Sequence, residues 1–113
     1  MNKLFSGIFK DNQIIKHFKD LLSKDKNLLL TGLNPPAQSH MIMEAFQESK
    51  GHLIVIVKDA KGAIALEDDL RFFTEDVIYF PAKEIVFFDS YAHSNDLRNR
   101  RINALAAIKA PEK

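Results

Sequence analysis

Cysteine is absent from this chain, which excludes a disulfide scaffold and a thiolate metal centre. No apolar run approaches the roughly 18 residues of a membrane-spanning helix. Residues 1–10 hold two lysines and scattered apolar side chains. They lack the continuous apolar stretch and small-residue cleavage site of a signal peptide, so the expected location is the cytoplasm. There is also no surplus of one charge. Sixteen Lys and Arg face fifteen Asp and Glu, a net charge of +1, and bulk charge gives no support for strong nucleic-acid binding. No repeat and no low-complexity segment is visible. What is present is 46% hydrophobic and 27% charged residues over 113 positions, the composition of one small globular domain with a single core.

Apolar spacing divides the chain into elements. Asp11 is positioned to cap a helix from Asn12, in which Ile14, Ile15, Phe18, Leu21 and Leu22 form one stripe and Lys16, His17, Lys19 and Asp20 the opposite face. Leu28, Leu29 and Leu30 make a short run without alternation, closed by Thr31-Gly32, as expected of a strand covered on both faces. Asn34-Pro35-Pro36 is a helix start, with Met41, Ile42, Ala45 and Phe46 as the inner stripe and Gly51 as the stop. Leu53–Val57 is the clearest strand signal, five apolar residues that are mostly β-branched. Asp59 should cap a third helix with Ala63, Leu66, Leu70 and Phe73 facing inward, weakened in its first turn by Gly62. Val77–Phe80 reads as a third strand stopped by Pro81. Asp89 to Asn95 reads as loop. A last helix, capped by Ser94 or Asn95, carries Leu97, Ile102, Leu105 and Ile108.

Strands alternating with helices imply an α/β fold: three layers, with a parallel sheet of at least three strands and helices on both faces, joined by right-handed crossovers. In such a fold the turn after the first strand is where a phosphate loop belongs. Here that turn contains Thr31, Gly32, Asn34, Pro35, Pro36, Ala37 and Gln38. A working loop needs several glycines so that N–H groups converge, a lysine for the phosphates and a Ser or Thr for magnesium. One glycine is present, two prolines have no N–H to donate, and no lysine occurs between Lys26 and Lys50. The position is right and the chemistry is missing, so no cofactor and no metal are expected.

These features resemble a known family. The first helix, Leu28-Leu29-Leu30-Thr31-Gly32, the next helix and the Leu53–Val57 run are similar to the opening of domain 1a in the excision-repair protein UvrB, and to the UvrB-like module of the bacterial transcription-repair coupling factors, the Mfd proteins. The stretch from Phe80-Pro81 through Phe87-Phe88-Asp89-Ser90-Tyr91 is similar to the coupling factors' strand, short acidic turn and "P-Y-D-x-F/Y" segment. Ala92-His93-Ser94 stands where they have "S-P-H", with His93 offset or substituted, and Arg101-Ile102 with Leu105 resembles their "R-L-x-x-L" helix. Ala37-Gln38 in place of Lys-Thr, and the short loop after Phe88, favour the coupling factors over UvrB itself.

The resemblance implies that residues 1–113 are the first part of a UvrB-like module, a degenerate P-loop domain cut short, within a much larger multidomain protein. That protein would be an ATP-dependent DNA translocase of the helicase superfamily 2 type, which displaces stalled RNA polymerase from double-stranded DNA and recruits UvrA for nucleotide excision repair. The motor and partner-binding domains would follow later in the same polypeptide. This segment would be non-catalytic, with no membrane contact, and on its own would tend to self-associate. The alternative is a nucleotide-binding segment of a UvrB-type or other helicase-like ATPase. An unrelated flavodoxin-like or receiver-like module fits poorly, because the strand ends lack the acidic cluster.

Other residues carry weaker signals. Asp89, Ser90, His93 and Ser94 have the types of a hydrolase site, but close spacing does not orient a triad, and capping is the expected role. His17, His40 and His52 with Asp59, Asp68 and Asp69 show no ligand spacing. Arg98, Arg100 and Arg101 form the one basic cluster, a candidate for weak DNA or partner contact. Within it Arg101 matches a family arginine at the start of an apolar stripe, which suggests a structural role. Phe72-Phe73 and Phe87-Phe88 read as packing residues.

Overall fold

The computed structural model describes residues 12–24, 27–83 and 91–110, with the side chains of 91–94 left aside. Four helices run through them: α1, Gln13–Lys24; α2, Pro35–Glu48; α3, Ala60–Arg71; and α4, Tyr91–Lys109.

The helix starts are set by side chains close in sequence. Asn12 accepts the Ile14 N–H on Oδ1 at 2.9 Å and the Lys16 N–H on its carbonyl. The cap is therefore Asn12, one residue after Asp11, which lies outside the described residues. Asn34 is extended and accepts the Ala37 N–H at 3.0 Å, while Pro35 and Pro36 open α2. Asp59 accepts the Gly62 N–H at 2.7 Å. Gly62 thus sits where the cap needs it: a Cβ there would stand 3.2 Å from the Asp59 carboxylate. Ser49 closes α2, its N–H shared between the Ala45 and Phe46 carbonyls, ahead of the expected stop at Gly51. α4 begins at Tyr91 rather than at Ser94 or Asn95, so the stretch expected as loop up to Asn95 is helical from Tyr91 on.

The expected parallel sheet is not there. Among the described residues no strand forms, and 28–30, 53–57 and 77–80 have no backbone hydrogen bond between them. The three-layer α/β architecture is corrected accordingly to an arrangement of helices joined by extended segments. The physical reason is that a continuous apolar run marks side chains that avoid water, but a strand also needs a hydrogen-bonded neighbour. That neighbour is remote in sequence and leaves no local signal. The runs are extended and largely wet: Leu29, Ile54 and Ile56 are 88%, 76% and 92% exposed.

The core is accordingly small. Its buried apolar members are Ile15 and Phe18 from α1, Met43 from α2, Leu70 from α3 and Ala104 from α4. α2 packs on both α1 and α3. The inward stripe of α3 falls as expected on Ala63, Leu66 and Leu70, continued by Phe73. In α1 the outlier is Ile14, which is exposed. In α2 the most buried residues are Met43 and Ser39, with Met41, Ile42, Ala45 and Phe46 half-buried. α4 turns a different face inward than its large apolar residues suggest. Leu97, Arg101, Ala104 and Ala107 are its covered positions, and Ile102, Leu105 and Ile108 remain about half exposed.

Candidate functional site: the turn into α2

The turn at 31–38 lies directly before a helix N-terminus, but the strand expected ahead of it does not form among the described residues. Gly32 has φ +75°, a backbone state that side chains with a Cβ resist. Its one glycine is used to turn the chain, not to bring N–H groups together. The first free N–H of α2, on Ala37, is taken by Asn34 Oδ1. The Gln38 N–H closes the first helical bond on the Asn34 carbonyl at 2.9 Å. The Gln38 side-chain amide folds back and donates to the Leu33 carbonyl at 3.0 Å. With Pro35 and Pro36 having no N–H, the donors that a phosphate would use are either internal or absent.

Behind the turn, Ser39 is 2% exposed. Its hydroxyl lies 3.1 Å from the Pro35 carbonyl and 3.4 Å from Asp69 Oδ2. One hydroxyl proton serves the closer carbonyl, and the contact brings α2 and α3 together. Nothing in the residue pattern singles out Ser39. Its only signal is position, since a polar residue one turn into a helix can bond back to the carbonyl four residues earlier.

A second polar centre joins α1 to α2. Lys19 Nζ reaches Glu44 Oε2 at 2.8 Å and Glu48 Oε1 at 3.1 Å. The hydrogen bond to Glu44 is the main reason the Lys19 ammonium is held above the ordinary lysine range, with burial opposing it and the Glu48 bond adding to it. His40, one turn before Glu44, has Nε2 at 3.9 Å from Glu44 Oε1 and its ring edge-on to Phe73, centroids 6.1 Å apart. Lys19 was expected on the polar face of α1, but its pairing across helices cannot be read from spacing within one helix.

The arginine cluster is divided by the structure. Arg98 lies exposed on α4. Arg100 pairs with Asp96 one turn earlier at 3.4 Å, both well exposed. Arg101 turns inward, donates to the Pro81 carbonyl at 2.9 Å and lies over the Phe80 ring at 4.7 Å. It anchors α4 to the 80–81 segment, with Pro81 fully buried beneath. The other candidates do not assemble. His52 Nε2 sits 3.1 Å from the Ile108 carbonyl, far in role from His40. Among the described residues no three His, Asp or Glu side chains gather as metal ligands. Asp89 and Ser90 lie outside the described residues, as do the side chains of His93 and Ser94. No helix among the described residues is long and apolar enough to cross a membrane.

The described helices define a small helical module whose turn into α2 is closed by its own side chains. Comparison with known proteins gives its relatives. The transcription-repair-coupling factor of Staphylococcus aureus strain USA300 is 33% identical over 117 residues, covering all of this chain and 10% of that protein. The factor of the same name from Staphylococcus epidermidis strain RP62A is 21% identical over 115 residues, with the same coverage. No family model matches the chain, and no solved structure matches it. Across its whole length the chain is homologous to transcription-repair-coupling factors and belongs with them, as the sequence resemblance indicated. It spans about a tenth of the length of these relatives.

Proposed function

We propose that this chain is a non-catalytic structural and interaction module of a transcription-repair coupling factor, the N-terminal one that the resemblance calls UvrB-like. In this reading the whole factor is an ATP-dependent DNA translocase in the cytoplasm. It displaces stalled RNA polymerase from double-stranded DNA and recruits UvrA for excision repair. Those activities belong to later domains of the same polypeptide, and this module contributes surfaces for them to pack on. It binds no nucleotide and no metal of its own.

The observation that supports this role is the turn into α2. Asn34 occupies the helix N-terminal donor that a phosphate would need, Pro35 and Pro36 supply none, and no lysine is at hand. The competing role, a nucleotide-binding segment of a helicase-like ATPase, requires those same donors. Titration calorimetry with magnesium-ATP separates the two. The module should give no binding heat. A saturable isotherm with a low micromolar dissociation constant would establish the ATPase segment instead. Duplex DNA should bind weakly at most and lose affinity steeply with salt, since the net charge of +1 leaves few phosphates to neutralise.

A further inference from the structure

α4 is set apart from the other helices. Among the described residues none of its Cα atoms lies within 8 Å of α1, α2 or α3, whereas α2 packs on both of its neighbours. What α4 meets instead are two extended stretches. Near its middle, Arg101 donates to the Pro81 carbonyl at 2.9 Å and lies over the Phe80 ring. At its end, His52 Nε2 is 3.1 Å from the Ile108 carbonyl. That carbonyl belongs to the last turn of the helix, where no residue further along can pair with it inside the helix. The stretches at 52 and at 80–81 have no backbone hydrogen bond to each other.

We propose that α4 is a releasable strap. It clasps the stretch at 52 to the stretch at 80–81, and it comes away from α1–α3 as one unit that leaves those helices folded. Area is the first argument. The covered apolar positions of α4 are Leu97 and the small Ala104 and Ala107, while Ile102, Leu105 and Ile108 stay about half exposed. Hydrophobic holding scales with the area covered, so little of it retains the helix. Independence is the second. The Lys19–Glu44 pair and the caps at Asn34 and Asp59 involve no residue of α4, and all of them survive its departure. Length is the third. Nineteen residues exceed the roughly 12–15 below which a helix is marginal in water, so α4 can leave without first unwinding. A unit joined at so few points opens more often than the body it rests on. Release frees both stretches at once, which makes α4 a switch between a clasped and an open chain.

Thiol labelling tests this on the 113-residue chain, which has no cysteine of its own. Ala104 is 3% exposed and Met43, in α2, is 5% exposed, so Ala104→Cys and Met43→Cys report the opening of the strap and of the body. The thiol of Ala104→Cys should react about ten-fold faster or more. His52→Ala, added to each reporter, should speed the reaction at 104 roughly five-fold, the worth of one hydrogen bond. Arg101→Met should speed it at least as much, and neither should change the rate at 43. Should the far-ultraviolet spectrum show that Ala104→Cys disturbs the helix, Ala107→Cys on the same face takes its place. Equal rates at the two reporters, a rate at 104 that either substitution leaves unchanged, or a rate at 43 that rises with it would each overturn the proposal. None of these outcomes bears on ATP binding, so the strap and the functional reading stand or fall separately.

Discussion

The runs at 28–30 and 53–57 are wholly apolar and α1–α3 are mixed, yet it is the helices that bury their apolar side chains and the runs that leave theirs in water. In α1–α3 each helix start is fixed by a side chain at most three residues away: Asn12, Asn34 and Asp59. Helices α1 and α2 are then tied across by Lys19 to Glu44 and Glu48. The runs at 28–30, 53–57 and 77–80 pair with one another nowhere among the described residues, and Leu29, Ile54, Ile56 and Ile78 face water; only 77–80 is held from outside, by Arg71 on the Val77 carbonyl and Arg101 over Phe80. A helix satisfies its own backbone and needs only one covered stripe. An extended segment needs a remote neighbour for both its backbone and its side chains. Burial in this molecule follows how locally an element can be completed, not how apolar it is.

Matched substitutions on the two sides give the largest expected contrast. Phe18 is 6% exposed and Ile56 is 92% exposed. Phe18→Ala should destabilise by about 3 kcal/mol, the low end for a buried phenylalanine because the core is small. Ile56→Ala should change stability by no more than about 0.5 kcal/mol. Urea denaturation followed by circular dichroism measures both. A loss at Ile56 comparable to that at Phe18 would show that 53–57 is packed in solution, and the contrast between the regions would collapse.

The same contrast explains what could be read from the sequence. Caps at Asn34 and Asp59 were legible because capping chemistry is confined to three or four residues, and the inner faces of α1 and α3 because their period is local. The membership of the chain was legible from short motifs, independently of the fold they were taken to imply. The sheet was misread because Leu53–Val57 has the composition of a buried strand, while pairing is decided by residues far away. The inner face of α4 was misread for a related reason: Leu105 and Ile108 are large and apolar yet half exposed, while the small Ala104 is the buried position. Arg98, Arg100 and Arg101 looked alike as charges. The family match set Arg101 apart as structural, and its bond to the Pro81 carbonyl and place over Phe80 show what it holds.

A smaller effect tests whether local completion carries the helical side. Asn34→Ala removes the oxygen that accepts from Ala37 N–H and should lower stability by about 1 kcal/mol. Asn34→Asp should retain most of it, because the carboxylate also accepts and favours a helix N-terminus. Thermal melts of the three proteins decide the matter. If Asn34→Ala melts with the parent chain, the two prolines alone start α2 and the cap is incidental.

The smallest effect concerns the tie between α1 and α2, and its sign follows from the lysine. Lys19 is held above the ordinary lysine range chiefly by its hydrogen bond to Glu44. A group whose folded pKa is raised stabilises the fold while it is protonated in both states, and loses that contribution as pH climbs from the unfolded value through the folded one. The unfolded value for lysine is about 10.4, so the contribution should be constant at neutral pH and decline only above that point. The Lys19 side chain is 32% exposed and Glu48 more so. Solvent screening therefore limits the pair to about 0.5 kcal/mol. Lys19→Met keeps the apolar stem and removes the charge. The stability difference between parent and variant should be steady from about pH 7 to about pH 9 and vanish above the lysine range. It should also shrink in high salt. Taking the difference cancels every other group that titrates at high pH. No difference at neutral pH would mean that Lys19 acts through its stem against α2, which methionine keeps, and that the two helices are joined by packing with the ion pairs as bystanders.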